Sequence, residues 1–70
     1  MGSIPNIDHQ RAIRALEKIG FSIKRQGKHI IMTNDERILT IPRNNPINAY
    51  TMHGIVRAAG ITPEEFKKLL

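Results

Sequence analysis

Phe21-Ser22-Ile23-Lys24-Arg25-Gln26-Gly27-Lys28-His29-Ile30-Ile31-Met32-Thr33 decides how this chain folds, because here the hydrophobic period changes from helical to alternating. Phe21, Ile23 and Arg25 alternate with Ser22 and Lys24, the two-residue period of a strand, so Phe21 and Ile23 are expected to face helices. Gly27 permits a tight turn into a second strand over 29–33, whose adjacent apolar residues leave its facing open. Asn34-Asp35-Glu36 then reads as a turn, and 37–41 as a third strand stopped by Pro42. Three short strands in consecutive hairpins predict an antiparallel sheet.

Helical signals flank this block. Upstream, Asp8 is a good N-cap for a helix running to Lys18 or Ile19. Ala12, Ile13, Leu16 and Ile19 share one face, Arg11, Arg14, Glu17 and Lys18 fall largely on the other, and Gly20 supplies the stop. Downstream, Pro42-Arg43-Asn44-Asn45-Pro46 reads as a loop. A second helix is expected from Thr51 as N-cap to Gly60, burying Met52, Ile55, Val56 and Ala59. Thr62, Pro63 and Glu65 spell a capping box with proline at the first helical position. The short helix they open folds back through Phe66, Leu69 and Leu70. No repeat, linker or low-complexity stretch divides residues 1–70. The expected fold is one α+β domain, α-β-β-β-α, with helices on one face of a three-stranded antiparallel sheet and a short C-terminal helix.

A 70-residue chain buries only about 60% of the surface it exposes when unfolded, which argues against a deep enclosed active site. The absence of cysteine removes disulfide frameworks and thiolate metal sites and fits a reducing cytoplasm. His9, His29 and His53 are too scattered for metal-ligand spacing, so no metal or cofactor is expected. Eleven Lys and Arg against six Asp and Glu give a formal charge of +5, and a nucleic acid or an acidic protein is the natural partner. Lys24, Arg25, Lys28, Arg37 and Arg43 fall in the middle third, while Asp35, Glu36, Glu64 and Glu65 sit in two short pairs; this is a patch rather than a diffuse charge. No apolar run approaches the roughly 18 residues of a membrane span. Met1-Gly2-Ser3 opens like an acylation signal, but Asn6 stands where Ser or Thr is wanted. These features together predict a soluble cytoplasmic protein.

Within the basic patch, His29 follows the turn Gln26-Gly27-Lys28. Histidine is the side chain whose unperturbed pKa, about 6.5, lets it exchange a proton near neutrality. Cations beside it would hold a phosphate and offset developing charge. The plainer reading is a polar residue opening a strand. His9 and His53, both expected to be solvated, rank lower. Tyr50 offers a ring on which a base could stack, although packing explains it equally. Asn44 and Asn45 are explained by turn chemistry or by contact with an RNA backbone.

In order and spacing, the segments ALEKIGF, RQGKHIIM, RILTIPR and TMHGIVRAAGITPEEF, within 12–70, resemble the HicA family of toxin–antitoxin toxins, small basic ribonucleases with a fold like a double-stranded RNA-binding domain. The resemblance places the family's glycine and catalytic histidine on Gly27 and His29, its Pro-Arg strand end on Pro42 and Arg43, and its helix stop on Ala59 and Gly60. The chain departs from the pattern at two positions. Lys28 stands where a small polar residue is usual, and Asn44 where a second histidine often follows Pro-Arg.

The implied activity is that of an mRNA interferase, a metal-independent endoribonuclease with His29 catalytic and Lys24, Arg25, Gly27, Lys28, Arg37 and Arg43 on RNA. A HicB-like antitoxin would restrain it. Chemistry agrees, since a base that deprotonates the RNA 2′-hydroxyl drives internal attack on the phosphate. No general acid for the departing 5′-oxygen stands out. The alternatives are a non-catalytic RNA-binding module of the same fold and a protein-interaction domain that meets an acidic partner.

Overall fold

The computed structural model describes residues 4–70; Met1-Gly2-Ser3, with its acylation-like opening, lies outside them. Its elements are α1 (His9–Glu17), β1 (Ser22–Gln26), β2 (Ile30–Thr33), β3 (Ile38–Ile41), α2 (Ala49–Ala59) and α3 (Pro63–Leu69). The strands form one antiparallel sheet in the order β1-β2-β3, and the layout is the expected α+β one. Ile30 and Met32 of β2 and Leu39 and Ile41 of β3 are buried. Ile31 is partly exposed, and Ile38 and Thr40 are exposed. The facing of β2, open in the sequence, is thereby fixed, with Ile30 and Met32 inward. Each such apolar side chain taken fully from water contributes about 1.5–3 kcal/mol.

The inward face packs with the buried stripes of the helices: Ala12, Ile13 and Leu16 of α1, Met52, Ile55, Val56 and Ala59 of α2, and Phe66 of α3. Ile4, Ile7 and Ile47 complete this core. The stretch before α1 joins it through an antiparallel bridge between Ile7 and Ile47, with Ile47 N donating to Ile7 O at 2.7 Å.

Helix ends follow the chemistry of orphan backbone groups. Asp8 caps α1 by accepting from Arg11 N. The helix closes earlier than 18 or 19, because Lys18, Ile19 and Gly20 donate to carbonyls three residues back and tighten the last turn. The bonds from Gly20 N to Glu17 O and from Phe21 N to Leu16 O form a Schellman closure, repeated after α2 by Gly60 N to Arg57 O and Ile61 N to Val56 O. The expected capping box at Thr62 and Glu65 is present in both directions. The cap of α2 is a correction: Asn48, not Thr51, is the N-cap, and its side chain accepts from Thr51 N. Asparagine supplies the acceptor one turn earlier, so Ala49 and Tyr50 lie inside the helix.

Strand β1 carries a second correction. Ser22 pairs with Thr33 and Ile23 with Met32, but Arg25 pairs with Ile31 and Gln26 with Ile30. Lys24 is an extra residue, a β-bulge that breaks simple alternation. Ile23 is on the helix side but remains 37% exposed, and Arg25 is on the opposite, open side with Ile31.

Candidate functional site

At one end of the sheet, Gln26, Ile30 and Ile41 pair in a row, and the hairpin tip 27–29 projects beyond them. His29 belongs to this tip rather than to β2, one residue short of the expected strand. Gly27 N donates to His29 O at 3.1 Å and closes the turn. From the end of β3, Arg43 Nε donates to Gly27 O at 3.0 Å. The loop is therefore closed within itself and braced from outside by Arg43.

Gly27 does not adopt a left-handed backbone, and a Cβ built there would meet nothing within 4 Å. The fold itself does not require glycine at this position. What glycine provides is bare backbone beside His29, where a ligand can approach closely.

His29 is exposed. With Arg25, Gly27, Lys28 and Ile31 it lines a shallow depression of about 230 Å³ on the open side of the sheet. The bulge at Lys24 makes this grouping possible by turning Arg25 onto the side of Ile31. An exposed imidazole flanked by one guanidinium and one ammonium, over a partly apolar floor, suits a polyanion that passes across the surface.

The structure divides the rest of the basic patch. Lys24 lines a different depression with Ser22, Thr33, Asp35, Glu36 and Ile38, at the opposite end of the sheet from the hairpin tip. Arg37 is also at that far end, level with Asn34 and roughly 16 Å of strand away from His29. Its Nη1 donates to Ala58 O at 3.2 Å, and the guanidinium covers Gly60, whose φ is +82°. It serves the carboxyl end of α2, where a cation is favoured by the helix dipole. Arg43 stands behind the loop. Arg25, Gly27, Lys28 and His29 are thus brought together, Arg43 supports them, and Lys24 and Arg37 lie apart.

His9 is a third correction. It is not solvated but 9% exposed, because Asn45 reaches it across 36 residues of sequence. Asn45 Oδ1 accepts from His9 N at 3.1 Å and faces His9 Nδ1 at 2.7 Å. Asn45 is accordingly a structural residue, and the only signal for it in the sequence was its place in the irregular 42–46 loop. Tyr50 and His53 lie on α2, and Tyr50 is 89% exposed. Among the described residues no three His, Cys, Asp or Glu side chains come together to hold a metal ion, and no helix is long and apolar enough to cross a membrane.

An α-β-β-β-α-α domain with an exposed histidine on a cationic hairpin defines a class of small surface-acting domains, open on one sheet face. The family model described as the HicA toxin of bacterial toxin–antitoxin systems matches residues 10–61, and the chain belongs to that family. That membership gives it a toxin role and an antitoxin as partner. Among curated proteins nothing matches the chain.

Proposed function

We propose that this toxin is a metal-independent endoribonuclease, an mRNA interferase, with His29 as its catalytic residue. The observation that carries the reading is the exposed His29 at a braced hairpin tip, between Arg25 and Lys28 and beside the bare backbone of Gly27, in a chain of the HicA family. Neutral His29 takes the proton of an RNA 2′-hydroxyl. The 2′-oxygen attacks the adjacent phosphorus, the bond to the 5′-oxygen breaks, and a 2′,3′-cyclic phosphate and a 5′-hydroxyl result once that oxygen is protonated. Arg25 and Lys28 offset the charge that grows on the phosphoryl oxygens. Arg43 extends the cationic track beside the hairpin, and Lys24, at the far end of the sheet, meets RNA only where the strand runs on past the site. Arg37, engaged at the end of α2, joins the RNA surface only through its outer edge. The antitoxin is HicB-like and inhibits by covering His29.

Regulated expression of the chain with and without His29→Ala tests this. Growth arrest and cleavage of cellular mRNA are expected for the parent and lost in the variant, whose melting temperature is unchanged because the imidazole is exposed. Cleavage persists in excess chelator. Full cleavage by a folded His29→Ala protein overturns the assignment. RNA binding without cleavage by the parent chain would favour the non-catalytic module.

A further inference from the structure

On the helix side of the same hairpin, between α1 and β1, lies a groove of about 420 Å³ that the chemistry at His29 does not use. Its composition differs from that of the depression around His29. Three isoleucines, Ile13 of α1, Ile23 of β1 and Ile30 of β2, line it, and Ile23 keeps 37% of its surface in water. Gln10 and Gln26 are exposed and also line the groove. Each primary amide presents a donor and an acceptor. Arg14 and Arg43 add cations.

His9, which also lines the groove, is held in a fixed position by Asn45. Asn45 Oδ1 is identified as oxygen by the backbone N–H of His9 that donates to it, so His9 Nδ1 must carry the proton it directs at the same oxygen. In neutral His9, Nε2 then bears the lone pair. No sealed side-chain polar atom lacks a partner among the described residues, and the His9 ring, held by Asn45, is part of the groove wall.

Apolar walls with a few amide and imidazole groups, next to cations, match one unstacked nucleotide: the base face on the isoleucines, its edge on the amides, its phosphate on the arginines. We propose that this groove is a base-reading subsite for a nucleotide of single-stranded RNA flanking the one held at His29. The proposal rests on the ribonuclease reading and gives it a source of sequence preference. Arg43 joins the two sides, since its Nε holds Gly27 O and its side chain also lines the groove. A base within a duplex cannot enter, because both its faces are stacked and neither is free to lie on the isoleucines; the substrate class is unpaired RNA.

The test uses the full chain with His29→Ala, so that RNA is not consumed, and labelled homopolymeric RNA hexamers titrated at several salt concentrations. In the Gln10→Ala/Gln26→Ala double variant, affinity for the preferred hexamer is expected to fall about fivefold or more and the differences among hexamers to shrink. Its salt slope stays that of the His29→Ala parent, because no phosphate contact is lost. Unchanged affinity and preference in a folded double variant, with binding still weakened by Arg25→Gln/Lys28→Gln, overturns the subsite and leaves the ribonuclease reading standing. An equal loss for all hexamers accompanied by a flatter salt slope also overturns it, since the groove would then be a backbone track. If the His29→Ala chain binds no RNA and the unsubstituted chain cleaves none, both readings fall together.

Discussion

Arg43 Nε donates to the carbonyl oxygen of Gly27 at 3.0 Å, and through this bond the end of β3 fixes the hairpin that carries His29. The two residues are 16 apart in sequence, and neither touches the reacting atoms through this bond. Its effect is to hold a surface loop in one geometry before RNA arrives, which lowers the ordering cost of binding.

Arg43→Ala is therefore expected to lower cleavage by more than its charge alone explains, and to speed amide hydrogen exchange at 27–30. Arg43→Lys keeps the charge but cannot reproduce a planar guanidinium donor. It should restore the salt slope of RNA binding while leaving exchange fast and cleavage reduced. A lysine variant with parental cleavage would show that charge alone matters. Loss of an exposed hydrogen bond should cost the fold only about 0.5–1.5 kcal/mol.

The division of the basic patch predicts unequal contributions. Arg25→Gln and Lys28→Gln should each weaken RNA binding and reduce the salt slope by about 1. Lys24→Gln, next to Asp35 and Glu36 at the other end of the sheet, should do less. Arg37→Gln should lower the melting temperature more than it lowers RNA affinity. Equal losses at all four positions in filter-binding titrations would contradict this division.

Three glycines should respond differently to alanine. At Gly60, φ is +82° and a Cβ falls 2.9 Å from the Arg37 guanidinium, so Gly60→Ala should destabilise by about 1 kcal/mol or more. Gly54 sits inside α2 with nothing within 4 Å of its Cβ, and Gly54→Ala should stabilise by about 0.5–1 kcal/mol. Gly27→Ala should leave urea unfolding unchanged but reduce RNA cleavage. A large loss of stability at Gly27 would return that residue to a purely structural role.

For the antitoxin, the basic surface around His29 predicts an acidic or polar covering surface and salt-sensitive association. Hydrogen exchange of the complex should show protection at 24–31. Protection confined to α3, with 24–31 unaffected, would exclude inhibition by covering the site.

Local signals in the sequence were dependable where the physics is local. Thr62 and Glu65 satisfy each other three residues apart, and the Gly20 and Gly60 closures depend on a few neighbouring residues, so these features could be read directly. Asn48 does not stand out in the sequence because Thr51 is an equally competent cap on its own, and only the path of the 42–47 segment selects between them. The burial of His9 is not legible in the sequence because its partner, Asn45, is distant along the chain and is brought near by the Ile7–Ile47 bridge. Arg25 and His29 could be named from their charge and their place at a turn. That Lys24 and Arg37 would lie apart from them depended on strand register, which composition does not encode.

The bulge at Lys24 has a consequence for comparing chains of different length. Strand β1 has five residues along the chain and four positions in the ladder. A chain one residue shorter at this point keeps Ile23 against the helices and Arg25 beside His29, because the remaining residues pair without interruption. A residue lost elsewhere in the strand has no such spare position to absorb it. When this strand is aligned with a shorter relative, the gap belongs opposite Lys24; placed one position to either side, it sets side chains from opposite faces of the sheet against each other.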